Sequence, residues 1–264
     1  AFFRNIHPYR NGGGTDEVPL PGDKQVKALA VTEPGPVAPV THLLRRGNPG
    51  SLGEEVQPGF PGVLGASVPT VIPPASGRSS GRRRALADWI ASPDNPLTAR
   101  VIVNRVWQWH FGKALVRTPS NFGVLGEKPT HPQLLDWLAH DFVEHGWSLK
   151  RLHRQIMLSS TWQMSSRFNK EKFTVDGDNN FLWRMNPRRL EVEAWRDSLL
   201  AVTGELDQRV GGKPDGEILR SKRRTLYATI SRTGDRFESD AFLRLFDFPA
   251  AVSTSASRPT STVP

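Results

Sequence analysis

The sequence repeats one helix pattern between residues 82 and 204, and this pattern constrains the fold more than any other feature. Capping residues or prolines begin the segments, apolar residues recur every three or four positions, and glycines follow several of the stripes. Asparagine and serine cap free backbone N–H groups, proline fits the first helical position, and glycine adopts the left-handed conformation that ends a helix. The pattern predicts a mainly α fold with a core of about four to six helices.

These signals predict the bounds of five helices. One begins at Arg82, one runs from Pro96 to Phe111 behind the cap Asn95, one runs from Pro132 to Gly146, one follows the cap Ser148, and one runs from Pro187 to Gly204 behind the cap Asn186. The last carries a stripe of the kind that faces a core, formed by Leu190, Ala194, Trp195, Ser198, Leu199 and Val202. All eight tryptophans lie between Trp89 and Trp195, which places the predicted core in this block.

The regions on either side of the helical block have different patterns. Residues 1–80 contain 12 prolines and 12 glycines, which predicts a loop-rich N-terminal arm with short strands at 27–32 and 40–44. Apolar and polar residues alternate over 224–231, which predicts a strand and hence a small β element near the C-terminus. We therefore expect three regions: the arm at 1–80, a helical core domain at 81–206, and a small β or irregular segment at 207–264.

The chain is basic and contains no cysteine. Its formal charge of +9 and pI near 10.3 favour an acidic partner such as nucleic acid or an anionic polymer. A solvated basic surface is the favoured interpretation of this charge, because the basic residues are spread from Arg4 to Arg258 rather than clustered. The absence of cysteine excludes disulfides, thiolate zinc sites and a C-x-x-C-H haem attachment within this sequence.

The histidines do not form a recognisable metal site. His140 and His145 are five positions apart and do not share a helix face, unlike the ligands of an H-E-x-x-H site. His110 ends a core helix and His153 borders an apolar stripe, which favours structural roles over catalysis. The glycine-rich segments match neither a nucleotide-binding loop nor a nucleophile elbow. The sequence therefore predicts no metal or cofactor site here and leaves any catalytic residue unknown.

A candidate network of polar residues surrounds the predicted core. Asn104 and Arg105 interrupt an otherwise apolar helix, so we expect them to anchor hydrogen bonds that hold neighbouring loops. The whole candidate network comprises Asn104, Arg105, His110, His131, His153, Arg188, Arg189, Glu191 and Asp197. We expect any site to lie where the held loops meet the start of the Asn186 helix.

Several long segments resemble one protein family, in the right order. They are RRRALADWIASPDNPLTARVIVNRVWQWHFGKALV, TPSNFGVLGEKPTHPQLLDWLAHDFVEHGWSLKRLHRQIMLSSTWQMSS and NPRRLEVEAWRDSLLAVTGELD, with THLLRRGNPGSLGEEVQPGFPGVL upstream and TSTVP at the end. These segments closely resemble the planctomycete-specific domain of unknown function 1553. That family has no established activity, so the resemblance implies no catalytic residues.

The resemblance implies a cellular location and neighbouring domains rather than a reaction. Similar proteins are large, exported planctomycete proteins in which this domain is often associated with a cytochrome-c-like haem domain. It therefore implies a periplasmic or cell-envelope location, haem c in a neighbouring domain, and other domains of the same polypeptide as partners. The sequence starts without methionine and stops in what looks like the middle of an element, so we expect a fragment of a longer protein.

Three hypotheses about function follow. The first is a non-catalytic structural or interaction module of such an exported, haem-associated protein. The second is an enzyme acting on an anionic polysaccharide, with Arg188 and Arg189 binding the anionic groups. The third is a nucleic-acid-binding protein, which the positive charge favours. No apolar run reaches the ~20 residues that span a bilayer, so we expect no transmembrane segment in this sequence.

Overall fold

A computed structural model describes residues 16–20, 23–30, 32–33, 35–65, 68–231, 236–246 and 248. The chain divides into two compact units, residues 1–99 and residues 100–264. Helices outweigh strands in the described part, which confirms the prediction of a mainly α fold. Residues 253–264, which have no pattern in the sequence, lie outside the described residues.

The first unit contains two β-hairpins and a helix. Strand β1 (Asp16–Leu20) pairs antiparallel with β2 (Asp23–Ala30), and β3 (His42–Leu44) pairs antiparallel with β4 (Leu52–Glu55). The strands predicted at 27–32 and 40–44 overlap β2 and β3. Helix α1 (Arg82–Ile90) begins where the sequence predicts.

A buried carboxylate fixes the start of α1. Glu33 accepts hydrogen bonds from the backbone N–H of Ser80 (2.6 Å), the Ser80 hydroxyl (2.9 Å) and Arg83 Nε (3.1 Å). Burial alone would raise the pKa of Glu33, but these donors outweigh it and lower the pKa to about 2. The preceding Gly81 has φ +78°, and a Cβ there would lie 2.3 Å from the Ile72 carbonyl oxygen, so the turn requires glycine.

Most of the helices form the second unit. They are α2 (Thr98–Phe111), α3 (Pro132–Glu144), α4 (Leu149–Leu158), α5 (Lys170–Val175), α6 (Val192–Val202) and α7 (Glu238–Arg244). The apolar residues buried on α2, α3 and α4 are Ala99, Val103, Val106, Trp107, Phe111, Leu135, Leu138, Ala139, Phe142, Leu152 and Ile156. The core therefore lies among the three helices with the clearest sequence signals.

A tight corner of four residues, 145–148, joins α3 to α4. Gly146 and Trp147 both have positive φ, 68° and 59°. The Trp147 N–H donates to the Phe142 carbonyl at 2.8 Å, and its ring packs edge-on against Phe142 with centroids 5.3 Å apart. Burial of the indole stabilises a conformation that a non-glycine residue rarely adopts.

The capping signals locate the ends of most helices correctly. The Asn95 side chain accepts from the N–H groups of Leu97 (3.0 Å) and Thr98 (3.2 Å), although the regular helix starts at Thr98 rather than Pro96. Ser148 caps α4 through the N–H of Arg151. Glycines with positive φ follow α2, α3 and α6, at Gly112, Gly146 and Gly204.

The predicted start of α6 is wrong. The helix begins at Val192, five residues after Pro187, and Glu191 occupies the N-cap position. Asn186 does not cap it, because its amide donates to the Phe111 carbonyl at 2.9 Å and accepts from Asn179 at 2.9 Å. The short helices α5 and α7 were not predicted, since six or seven residues hold fewer than two full turns of a pattern.

The predicted β element near the C-terminus is also wrong. Residues Thr225–Tyr227 form a 3-10 turn, and only isolated bridges are present there, Asp207 with Arg223 and Asp215 with Ala228. The backbone N–H of Thr225 bonds to Asp197 instead of a neighbouring strand. Among the described residues, the paired strands lie in the N-terminal unit.

The described residues contain neither a membrane-spanning helix nor a cluster of metal-binding side chains. No helix there is long and apolar enough to cross a membrane. No group of three or more His, Cys, Asp or Glu side chains in the described part is arranged to hold a metal ion.

Candidate functional site

Asn104 joins the middle of α2 to the loop that follows the helix. Its Nδ2 donates to the Val116 carbonyl at 3.1 Å, and its Oδ1 accepts from the Val116 N–H at 2.8 Å. The side chain is fully buried. The neighbouring Arg105 has a buried Nε with no hydrogen-bond partner in the described part of the chain. Asn104 therefore holds the loop, as expected from the sequence, through a paired contact with one peptide unit.

Two of the candidate histidines form a hydrogen-bonded pair. His110 Nε2, at the end of α2, lies 2.8 Å from His153 Nδ1 on α4, so an N–H of one ring donates to the other. The Trp162 ring packs edge-on against His110 with centroids 4.9 Å apart. Burial lowers the pKa of His110, and His153 and the positive charge of Arg188 lower it further. The lowered pKa favours an uncharged His110 at neutral pH, and the hydrogen bond joins α2 to α4.

Arg188 is an exposed residue beside this pair, and one of its guanidinium nitrogens is bonded to the backbone. Its Nη1 donates to the Trp109 carbonyl, one residue before His110. The guanidinium therefore satisfies a carbonyl at the C-terminal end of α2, where a positive charge also suits the helix dipole.

The loop at residues 176–186 is tied to the end of α2. Buried Asn179 donates to the Arg184 carbonyl (2.8 Å) and to Asn186 Oδ1 (2.9 Å), and Asn186 donates onward to the Phe111 carbonyl. The Asp176 carboxylate accepts from the N–H groups of Asn180 (2.8 Å) and Phe181 (2.7 Å). Sequence reasoning missed Asp176 and Asn179, although the run Asp-Gly-Asp-Asn-Asn is typical of side chains that bond to nearby backbone.

The remaining candidates lie in other places. His131 Nδ1 is 3.0 Å from Thr130 Oγ1, and its ring faces the edge of Phe181 at 6.3 Å. Asp197 accepts from the N–H and hydroxyl of Thr225, both at 2.7 Å. Arg189 and Glu191 are exposed at the approach to α6. The structure therefore brings together His110, His153 and Arg188, and places Asn104 and Asp197 in separate contacts.

Helix α6 buries Arg196 together with Val192 and leaves three large apolar side chains exposed. Arg196 is buried and donates to the carbonyls of Ile218, Ser221 and Arg223 and to the Thr225 hydroxyl. Trp195, whose ring packs against Phe246 with centroids 5.5 Å apart, shares the exposed face with Leu199 and Val202. The exposed fractions of Trp195, Leu199 and Val202 are 42%, 49% and 87%. We call these three residues the α6 stripe. The stripe predicted to face the core therefore lies largely at the surface. Arg196 faces inward instead, because its guanidinium donates to carbonyls of the loop at residues 218–223.

A cleft of about 390 Å³ lies beside α5. It is lined by Glu171, Lys172, Val175, Asp176, Phe181 and Trp183, and we call it the α5 cleft. Trp183 Nε1 donates to the Asp176 carbonyl at 2.8 Å, which fixes the orientation of the indole. The Arg184 guanidinium lies 4.8 Å from the centroid of the Trp183 ring. The cleft thus combines apolar walls with charged side chains at its margin.

The fold and these contacts define a class: a mainly helical domain in which buried polar side chains hold long loops against three core helices. The chain belongs to the family described as PSD1, protein of unknown function (DUF1553), whose family model matches residues 82–264. This match covers more than half of the chain and includes all of the helices described above. Comparisons with curated proteins and with solved structures give no match.

Proposed function

We propose that this domain is a non-catalytic structural and interaction module of a larger protein, and that the α6 stripe packs against another domain of the same polypeptide. The observation that carries the proposal is the orientation of α6, which buries Arg196 and exposes Trp195, Leu199 and Val202. An exposed apolar face on a helix is typical of a surface that a partner covers.

The chemistry of the α6 stripe favours a permanent partner. Its three side chains carry no charge, and burying each of them would contribute about 1.5–3 kcal/mol. Obligate interfaces are more apolar than transient ones. The uncharged stripe therefore fits a lasting contact better than a reversible encounter.

Hydrogen–deuterium exchange tests this proposal when the 264-residue chain is compared with the full-length polypeptide. We expect the amides of α6 to exchange more slowly in the full-length protein, because the contact covers the helix. Leu199→Asp should remove that extra protection, whereas Val124→Asp, at a fully exposed loop position, should not. Equal exchange of α6 in the two proteins would refute the contact.

The polar residues support a structural role over a nucleic-acid-binding role. Arg188, Arg196 and Arg223 all donate to backbone carbonyls, so these guanidinium groups are used to hold the chain. Contacts to phosphate need clustered cations that are free to approach it.

The setting of the domain is part of the proposal. Resemblance over several long segments supports export to the periplasm or cell envelope and haem c in a neighbouring domain. Cell fractionation with a haem stain of the full-length protein tests both points. A cytoplasmic, haem-free protein would contradict the proposed location and haem domain. It would not bear on the proposed contact of α6, which hydrogen–deuterium exchange tests separately.

A further inference from the structure

The α5 cleft exposes large apolar side chains next to a loop that several hydrogen bonds hold in place. Phe181 and Val175 are 74% and 84% exposed, yet both line the cleft together with Trp183. Its volume of about 390 Å³ is within the range of small-ligand sites. A surface of this kind has a hydration cost in the free protein that a ligand would remove.

Hydrogen bonds hold the walls of the cleft in place. The Asp176 carboxylate binds the backbone at Asn180 and Phe181, and the Asp176 carbonyl accepts from Trp183. Asn179 and Leu182 have φ of 54° and 53°, a conformation that non-glycine residues keep only when their surroundings enforce it. The aromatic rings are thus positioned before any ligand arrives, which lowers the entropic cost of binding.

The charges around the cleft balance. Glu171 and Asp176 contribute two carboxylates, and Lys172 contributes an ammonium. The Arg184 guanidinium stacks on Trp183 and adds the second positive charge. A charged ligand would therefore gain little net attraction, whereas an uncharged ligand with an apolar face and polar edges matches both the walls and the margin.

Two kinds of uncharged ligand, a protein side chain and a sugar ring, differ in how far the walls of a site must enclose them. A protein side chain that anchors an interface needs a pocket that excludes water around it. Phe181 and Val175 form low, exposed walls that cover only one side of a ligand. Contact on one side is enough for a sugar ring. Its C–H face packs on an aromatic ring, while its hydroxyl groups remain in water or bond to charged side chains.

We propose that the α5 cleft binds an uncharged sugar ring of a glycan. The C–H face of the ring packs against Trp183 and Phe181, and its hydroxyl groups bond to the Glu171 carboxylate and the Lys172 ammonium. This site goes beyond the proposed interaction module and shares no residue with the α6 stripe, so either proposal can fail without the other.

Saturation-transfer NMR and titration calorimetry on the 264-residue chain test the proposal. The probes are neutral hexasaccharides of glucose, mannose and xylose, with a galacturonate hexasaccharide as the charged comparator and Gly-Trp-Gly as the peptide comparator. We expect at least one neutral probe to bind, with saturation transferred to its ring C–H protons, and the charged comparator to bind more weakly.

Two variants and a matched control locate the binding. Phe181→Ala, at an exposed position, and Trp183→Phe, which keeps a ring but loses the indole, should each weaken binding by about tenfold. Trp137→Ala removes an exposed tryptophan from α3 and should leave binding unchanged. The proposal is overturned if no neutral probe binds, if Phe181→Ala binds as tightly as the parent, or if the peptide occupies the cleft in preference to the sugars.

Discussion

At the scale of single residues, polar side chains in this domain mainly hold backbone. Asn104, Asn179 and Asn186 bond to the peptide groups of Val116, Arg184 and Phe111, respectively. Each amide both donates and accepts, so one side chain can satisfy two backbone groups. Each of these side chains therefore stabilises the fold by joining two parts of the chain.

Asn104→Ala should be strongly destabilising. The substitution leaves the N–H and carbonyl of Val116 buried without their partners, which costs about 2–3 kcal/mol of unfolding free energy. Urea denaturation followed by tryptophan fluorescence measures the change. Asn48→Ala, at an exposed residue that bonds to Gly50, is the control and should stay within about 0.5 kcal/mol of the parent. Equal effects would contradict the structural role of Asn104.

The histidine pair predicts a dependence of stability on pH. The pKa of His110 is lowered in the folded state, so below its ordinary value of 6.5 the unfolded chain binds more protons. The contribution of His110 to the free energy of unfolding is therefore present above pH 6.5 and is lost as the pH falls towards the pKa of His110 in the folded state. Urea midpoints between pH 8 and pH 5 should therefore decrease.

His110→Gln is the variant that assigns this pH dependence. It removes the titrating group, so the fall in the urea midpoint below pH 6.5 should become smaller than in the parent. An unchanged slope would show that other groups cause the acid sensitivity.

At the scale of elements, capping chemistry explains where most helices begin and end. Asn95 and Ser148 bond to the first free N–H groups of α2 and α4, and Gly112, Gly146 and Gly204 take the left-handed conformation after α2, α3 and α6. The same signals fail at Asn186, whose side chain bonds to α2 instead of its own helix. A cap residue is thus informative only when no tertiary partner competes for its side chain.

Helix α6 supplies a test at this scale. Arg196→Leu should destabilise the domain by roughly 3 kcal/mol, because the carbonyls of Ile218, Ser221 and Arg223 lose their donor. Leu199→Ser, on the exposed side of the helix, should change the unfolding free energy by less than about 0.5 kcal/mol. Chemical denaturation of both variants measures the contrast. A larger loss from Leu199→Ser would show that the apolar side of α6 is the buried one.

At the scale of the whole molecule, the positive charge is distributed along the length of the sequence. The formal charge of +9 comes from basic residues spread along the chain, and several guanidinium groups are bonded to carbonyls. The family match over residues 82–264 includes the helices but adds no activity. The interaction surface and the cleft therefore carry the proposals, rather than the net charge.

The spread of charge predicts weak and salt-sensitive binding to polyanions. On a heparin column the 264-residue chain should elute at low salt, because few cations can contact the polymer at once. Replacing Arg209, whose guanidinium already pairs with Asp207, by Gln should not shift the elution measurably. Tight binding that persists at high salt would indicate a dedicated polyanion site.

The sequence by itself predicts the features of this protein that depend on residues close together along the chain. Periodic apolar residues, caps and glycines locate α1 to α4, because each depends on contacts within a few residues along the chain. It does not locate the true start of α6, the direction in which α6 faces, or the absence of the strand expected at 224–231. Those features depend on Asn186 bonding to Phe111, Arg196 to three carbonyls and Asp197 to Thr225, contacts between residues up to 75 positions apart. Only the tertiary structure decides them, because a polar side chain chooses among several partners that the linear pattern does not contain.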